Sequence, residues 1–167
     1  MRCSTALFAC FCAANIFASS GSVPTPAPLP LAPLSFLVGR WEASGAGEPG
    51  RSVGEFSFEW AADRHALLRR NEARTPGGTH TDVMMFYSLP DGTIHAVYAD
   101  NEGHAIGYRA TVLDDQRRAT FESDGPGPRF RLWYEAKPDG TLASGFEIAQ
   151  AGSSEFQSYL KGVARRK

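Results

Sequence analysis

Apolar and polar side chains alternate at every second residue along most of this chain, and turn-forming residues interrupt the alternation at fairly even intervals. A period of two is typical of β-strands with one buried and one exposed face. Beyond residue 33 no stretch shows the 3.6-residue stripe of an amphipathic helix, apart from one short helical turn expected at 33–38. The pattern predicts ten strands, at residues 39–46, 52–61, 65–74, 79–89, 93–99, 104–113, 118–123, 129–136, 141–149 and 155–163.

The segments between these strands contain residues that suit tight turns. Asp91-Gly92 and Asp139-Gly140 tolerate a positive φ and are typical of two-residue hairpin loops. The Gly-Pro-Gly-Pro run at 125–128 cannot continue a strand. Short connections predict an up-and-down order, and closing such a sheet removes both exposed edges. We therefore expect an all-β fold, a single antiparallel up-and-down barrel, with a two-sheet sandwich as the competing architecture.

The first twenty residues have the layout of a secretory signal peptide. Arg2 precedes an uncharged apolar stretch at 6–17, and small residues at 18–20 would allow cleavage before Gly21. The apolar stretch is shorter than the roughly 20 residues that a membrane-spanning helix needs. We expect residues 1–20 to be removed and the protein to be exported, either to the periplasm or out of the cell. An uncleaved membrane anchor is the alternative.

Removing this signal would also remove all three cysteines, Cys3, Cys10 and Cys12. The mature chain would then have no disulfide, no thiolate metal ligand and no cysteine nucleophile. Without Arg2, the mature chain has 16 Lys and Arg (17 minus 1) and 18 Asp and Glu, which gives a net charge of −2. Neither sign forms a long run, so we expect no nucleic-acid partner. Because the apolar stretch lies within the signal, we also expect no stable membrane span after cleavage.

Residues 21–33 contain five prolines, a composition that favours an extended, semi-rigid linker. The folded domain is expected over residues 34–167. That length suits one domain of ordinary size.

A family resemblance is carried by residues 34–42, Leu-Ser-Phe-Leu-Val-Gly-Arg-Trp-Glu. A leucine-rich turn that leads into Gly39-x-Trp41 resembles the opening of lipocalin-like, or calycin, barrels. The chain is most similar to bacterial exported lipocalin-like proteins of unknown function, and nitrobindins and fatty-acid-binding proteins share the ten-stranded plan. In strand count the resemblance covers nearly all of residues 34–167.

The resemblance implies roles for several residues. Gly39 and Trp41 would close the bottom of the barrel, with Lys161 from the last strand placing its charge over the indole ring. Nitrobindins ligate haem through a histidine near the chain end, but this chain has no histidine after His104. We therefore expect no haem and no other cofactor.

Pairing registers suggest which side chains line a cavity. If Asp91-Gly92 is a two-residue loop, Tyr87 lies opposite Ala96 and Met85 opposite Tyr98, and a turn at 101–102 brings Arg109 to the margin. The predicted inner wall comprises Val83, Met85, Tyr87, Leu89, Ile94, Ala96, Tyr98, Gly107 and Arg109. Apolar side chains with two phenols and one cation suit an amphipathic ligand, and we predict Met85, Tyr87, Tyr98 and Arg109 as contacts. The alternative is that these side chains simply fill the interior, which the close packing of protein interiors favours.

The eighth strand offers two further candidates, Arg131 and Tyr134. Barrels of the resembled family often bind an acid group with an interior arginine and tyrosine. Successive residues of a strand alternate faces, so only one of the two points inward. We favour Arg131.

No catalytic or metal-binding motif is recognisable. The predicted register places Ser88 opposite His95, but neither a strained elbow nor an orienting carboxylate accompanies them. The four histidines lack metal-ligand spacing, so we predict no metal site. The leading hypothesis is therefore a non-catalytic barrel that binds a small, largely apolar or amphipathic molecule. The alternatives are a filled barrel that docks a protein partner and, less favoured, a cavity-based isomerase or hydrolase.

Overall fold

A computed structural model describes residues 29–113, 115 and 117–167, so the predicted signal peptide and most of the predicted linker lie outside the described residues. The described residues form ten strands, β1 (Gly39–Gly47), β2 (Gly50–Ala61), β3 (Ala66–Thr75), β4 (Gly78–Ser88), β5 (Ile94–Asp100), β6 (Ala105–Leu113), β7 (Arg118–Ser123), β8 (Arg129–Ala136), β9 (Leu142–Ala149) and β10 (Gln157–Arg166). Two 3₁₀ helices, η1 (Ala32–Leu37) and η2 (Ala62–Arg64), complete the fold. None of the helices within this part is long and apolar enough to cross a membrane.

Every strand pairs antiparallel with its neighbours in sequence, and β10 pairs with β1 to close the barrel. The structure confirms the predicted up-and-down barrel and the short helical turn before the first strand. Closure leaves each of the ten strands with a partner on both sides, which is the physical advantage over a sandwich.

One half of the barrel interior is an aromatic core. Rings from four strands, β2, β4, β7 and β8, contact one another across the interior. The ring centroids of Phe58 and Phe86 are 5.8 Å apart, those of Phe86 and Phe121 5.0 Å, and those of Tyr134 and Phe58 5.4 Å. These four rings are almost fully buried. Helix η1 covers this end with Leu34, so we call it the closed end of the barrel.

Trp41 lies at the closed end and is buried, as the family resemblance implies. Its Nε1 donates a 2.9 Å hydrogen bond to the Leu37 carbonyl of η1, which ties the first strand to the covering helix. The prediction for Lys161 is wrong, because Arg166 is the cation over the indole, with its Cζ 4.5 Å from the ring centroid. Lys161 is exposed and pairs with Ala46, five positions along β1 from Trp41, which lies opposite Arg166.

Gly39 supports this closure through its backbone. Its φ of +137° is unfavourable for other residues. A side chain at Gly39 would also collide with the guanidinium of Arg166, which donates a 2.7 Å hydrogen bond to the Val38 carbonyl. Glycine therefore makes room for the cation that covers Trp41.

The hairpin loops are one residue longer than predicted. Between β4 and β5, Leu89 pairs with Thr93 through a 2.9 Å N–H to carbonyl bond, and Gly92 N donates to Leu89 O at 2.9 Å. This is a three-residue loop, a type I turn followed by Gly92 at φ +82°. Proline is favoured at the first central position of a type I turn, and Pro90 occupies it here.

The same loop geometry recurs twice. Between β8 and β9, Lys137 pairs with Thr141 around Gly140, and between β5 and β6, Asp100 pairs with His104 around Gly103. The extra residue moves each pairing by one position, and a one-residue shift exchanges the two faces of a strand.

This shift overturns the predicted inner wall on two strands, β4 and β6. Phe86 lies opposite Ala96 and Met84 opposite Tyr98, in place of Tyr87 and Met85. One third of the predicted wall, the residues Ile94, Ala96 and Tyr98 of β5, does face inward. The other six residues, on β4, directly after it and on β6, point outward: Val83, Met85, Tyr87, Leu89, Gly107 and Arg109.

Candidate functional site

A group of polar side chains lies inside the barrel where the aromatic core ends. Arg69 of β3 is only 9% exposed and forms an ion pair with Asp82 of β4, which is buried as well. Asn71 Nδ2 donates a 2.8 Å hydrogen bond to the second oxygen of the same carboxylate. Both residues point inward. Arg69 lies two positions from the buried Leu67, and Asp82 lies two positions from the buried Met84, so each shares the inward face of its strand.

A chain of hydrogen bonds connects this ion pair with the opposite end of the barrel. His80 Nε2 lies 3.4 Å from Asp82 Oδ2 and 3.1 Å from the Tyr98 hydroxyl. Tyr98 donates to Asp100 Oδ2 at 3.0 Å, and His104 Nδ1 lies 2.8 Å from the same oxygen. The chain therefore runs from the buried ion pair to the exposed β5–β6 loop.

The surroundings of these groups shift their pKa values. A hydrogen bond to Asp82 is the largest effect on His80 and raises its pKa to about 9, against the opposing effect of burial. Burial works to raise the pKa of Asp100, but hydrogen bonds from His104, Tyr98 and Glu102 together lower it to about 2. At neutral pH we therefore treat His80 as a cation and Asp100 as an anion.

Two polar atoms beside the ion pair have no hydrogen-bond partner among the described residues. They are Arg69 Nε and the Tyr134 hydroxyl, and both are fully buried. Burial raises the pKa of Tyr134 to about 12, so the phenol keeps its proton and can donate. Buried donors without partners are uncommon in native proteins, and each calls for an acceptor such as a water or a ligand.

Beyond the polar group, towards the end opposite η1, inward side chains remain partly exposed to solvent, and we call this the open end. Several inward residues on one side of this half are small, which leaves space: Ala43, Gly45, Gly54, Ala73, Ser144 and Gly162. The other side is apolar, and its inward side chains remain partly exposed: Tyr98, Ile106, Phe130, Leu132 and Phe146. Phe130 and Phe146 stack with centroids 5.9 Å apart. We call this region the cup.

Of the five residues predicted to contact a ligand, the structure places only Tyr98 inside. Met85 is 43% exposed on the outer face of β4, and Tyr87 stacks there on His95 with centroids 6.0 Å apart. Arg109 is exposed on the outer face of β6, opposite His95. The prediction that Met85, Tyr87 and Arg109 face the interior is therefore wrong. It assumed two-residue loops, and that assumption reversed the faces of β4 and β6.

The preference for Arg131 over Tyr134 as the inward residue of β8 is also wrong. Tyr134 is buried in the aromatic core, whereas Arg131 lies outside with its guanidinium 3.6 Å from the Phe156 ring centroid. Arg131 binds Glu122 at 3.1 Å and Glu147 at 3.3 Å. Its charge is therefore engaged on the outer surface.

Sequence reasoning missed Arg69, Asn71 and Asp82. The signal was present, since each takes a position that the alternation assigns to an apolar residue: Arg69 follows Leu67, and Asp82 precedes Met84 and Phe86. A charge on the apolar face of a strand indicates a buried, paired group.

The structure provides no support for catalysis by Ser88, which lies opposite Ile94 and not His95. Within the described ranges, no group of three or more histidine, cysteine or acidic residues could hold a metal ion. Concave regions also occur on the outer surface, including one of about 970 Å³ along β1, β2 and β3. Its carboxylates are engaged by basic side chains, as in the 3.3 Å ion pair of Glu42 with Lys167.

The outer face of β4 and β5 is apolar and exposed. Met85 lies opposite Val97, which is 48% exposed, and beside them Val83 is 52% exposed. Leu68 extends this surface onto β3. We call it the outer apolar face.

No protein-family model matches this chain, and no curated protein sequence matches it significantly. Solved structures do resemble it. Rv2717c from M. tuberculosis has a TM-score of 0.61 and 18% identity, over 84% of this chain and 98% of that one. The S-type phycobiliprotein lyase CPES from Guillardia theta has a TM-score of 0.55 and 8% identity, over 80% of this chain and 90% of that one. At such identities the likeness shows the fold alone.

Proposed function

We propose that this protein binds a small, largely apolar or amphipathic molecule in the cup. The observation that carries the proposal is the pair of unpartnered buried donors, Arg69 Nε and the Tyr134 hydroxyl, at the base of a partly exposed apolar interior. Such a combination of apolar walls and a few polar groups is typical of small-molecule sites.

Binding would combine two physical effects. Contact with Leu132, Phe130 and Phe146 removes apolar surface of the ligand from water, which contributes about 25 cal/mol per Å². An acceptor atom on the ligand satisfies donors that are otherwise buried without partners, and each such bond contributes on the order of 1 kcal/mol. The first effect supplies affinity and the second fixes the orientation of the ligand.

The proposal can be tested with the neutral, apolar dye Nile red, whose fluorescence rises when it leaves water. We expect the wild-type protein to bind the dye. Leu132→Trp would fill the cup and should weaken binding at least about tenfold, which corresponds to about 1.4 kcal/mol.

Val97→Trp is the matched control, because it adds the same ring to an outward position of β5. It should leave dye binding unchanged. Failure of the wild type to bind the dye, or equal loss in both variants, would contradict a site in the cup.

A second candidate is a role in protein interaction, favoured by the outer apolar face. Monomeric proteins seldom expose contiguous apolar patches of more than a few hundred Å². Native mass spectrometry of protein purified from its own host separates the candidates. A small molecule released on unfolding supports binding in the cup, whereas a bound protein that Met85→Glu releases supports the interaction role.

We also propose that the protein is exported and that it takes no haem. The layout of residues 1–20 supports export, and the lack of any histidine after His104 argues against haem ligation near the chain end. Amino-terminal sequencing of the mature protein should begin at Gly21. Haem added to the purified protein should give no Soret band of a histidine-ligated complex. A cavity-based isomerase or hydrolase remains the weakest alternative.

A further inference from the structure

The interior arginine already has a carboxylate partner within the barrel. Arg69 and Asp82 are both more than nine-tenths buried, and their side chains form a direct ion pair. Asn71 donates a 2.8 Å hydrogen bond to the same carboxylate. The charge of Arg69 is therefore balanced before any ligand enters.

The other charged groups that face this site leave no excess of positive charge. His80 from β4 contributes a cation, and Asp100 from β5 contributes an anion that accepts four hydrogen bonds. Glu102 in the β5–β6 loop adds a carboxylate 3.1 Å from His80. Strands β6 to β9 contribute only uncharged polar side chains there: Tyr108, Ser123, Tyr134 and Ser144. Within the described ranges, the open half of the interior holds no second Lys or Arg.

This charge balance determines which ligand head group the site can accept. A carboxylate would bring an extra negative charge into a poorly solvated region beside Asp82, and an uncompensated buried charge is strongly unfavourable. An uncharged acceptor avoids that cost. It would still receive hydrogen bonds from the free donors, Arg69 Nε and the Tyr134 hydroxyl.

We infer that the cup selects uncharged ligands that carry a hydrogen-bond acceptor, such as an amide, ketone or ester, over carboxylates of the same length, and that Asp82 sets this selectivity. The inference rests on the proposed function and deepens it by naming the ligand class. Asp82 acts by neutralising Arg69, which is the group positioned to receive the ligand head.

Two probes of equal chain length test the inference, dodecanamide and dodecanoate, each competing with Nile red at pH 7.5 below its micellar concentration. For the wild type we expect dodecanamide to displace the dye at a concentration at least about tenfold lower than dodecanoate. Asp82→Asn leaves Arg69 without its counter-charge. The selectivity ratio is the displacing concentration of dodecanoate divided by that of dodecanamide. In Asp82→Asn this ratio should fall at least about tenfold or drop below one.

Asp139→Asn is the matched control, because Asp139 is an exposed turn residue in the β8–β9 loop at the other end of the barrel. It should leave the ratio unchanged. Arg69→Gln provides a second variant in case Asp82→Asn does not fold. It removes the cation and keeps the carboxylate, so preference for the amide should persist or increase.

The outcomes separate the two claims. Should neither probe displace the dye, or should the dye not bind, the proposed function fails. Equal or tighter binding of dodecanoate by the wild type overturns only the selectivity. The selectivity is also overturned by an unchanged ratio in Asp82→Asn or by improved dodecanoate binding in Arg69→Gln.

Discussion

Arg69 and Asp82 occupy the boundary between the aromatic core and the cup. Arg69 packs above Phe56, with its Cζ 5.7 Å from the ring centroid, while its guanidinium binds Asp82. Arg69 thus contacts both the aromatic core and the polar base of the cup. Removing either partner of a buried ion pair is typically costly, because the remaining charge stays buried.

The two neighbouring methionines of β4 test the assignment of inner and outer faces. Met84 is 1% exposed inside the barrel, whereas Met85 is 43% exposed outside. Met84→Ala should lower the free energy of unfolding by about 2–5 kcal/mol through the cavity it leaves. Met85→Ala should change it by less than about 0.5 kcal/mol. Urea denaturation measures both, and equal or reversed effects would show that the strand faces are exchanged.

His80 should make stability depend on pH. Its pKa rises from 6.5 to about 9 on folding, mainly through the hydrogen bond to Asp82, so the folded state favours the protonated ring. The stabilisation is fully present below pH 6.5 and is lost as pH rises through about 9. After screening by solvent, we expect it to amount to about 1 kcal/mol.

The measurement compares wild type and His80→Gln in urea at pH 6 and at pH 10. The wild type should be more stable at pH 6, and most of this advantage should vanish at pH 10. A constant difference between the two proteins would show that the ring does not gain a proton on folding. Comparing the two proteins at each pH cancels the titration of tyrosines and lysines.

At the scale of elements, the alternation of apolar and polar residues predicts where each strand lies. The length of the preceding loop decides which face of the strand points inward. The predicted strand at 79–89 corresponds to β4 (Gly78–Ser88), so the element was found. Its pairing was displaced because Pro90 and Gly92 form a type I turn with a bulge, where the Asp-Gly pair suggested a two-residue loop. Proline before Asp-Gly is the feature that distinguishes the two loops.

Gly92→Ala should destabilise the β4–β5 hairpin. Gly92 has a φ of +82°, and an alanine there would be strained, so we expect a loss of about 1 kcal/mol. Gly107→Ala is the control, because Gly107 has no positive φ and a Cβ there would have no neighbour within 4 Å. Thermal unfolding should show a lower Tm for Gly92→Ala alone, and equal Tm values would contradict the turn geometry.

At the scale of the whole molecule, closure depends on the pairing of the first strand with the last. Trp41 lies opposite Arg166, and Gly47 lies opposite Leu160, so the contact runs along all of β1. The backbone N–H of Lys167 donates to the Arg40 carbonyl at 2.9 Å, which brings the chain end beside the start of the barrel. Contacts this distant in sequence carry a large entropic cost of loop closure, which the burial of the completed barrel must offset.

This proximity predicts tolerance of circular permutation. Joining Lys167 to Leu29 through a flexible linker of about eight residues, with new ends in the β3–β4 turn at Pro76-Gly77, should give the same barrel. Far-ultraviolet circular dichroism and Nile red binding should match those of the wild type. A variant that ends before Gln157 lacks β10 and should aggregate, because both β1 and β9 would become exposed edges.

Alternation and turn residues are local properties, so the amino-acid sequence was enough to predict the number of strands, their order and the short turn that precedes them. It also indicated Gly39 and Trp41 at the closed end. Tertiary structure alone decided which side chains meet across strands: Arg166 over Trp41, Arg69 with Asp82, and Tyr98 as the one predicted contact that faces inward. The physical reason is that a single residue in a loop reverses the faces of the next strand, so the lining of a barrel depends on loop geometry that alternation does not encode.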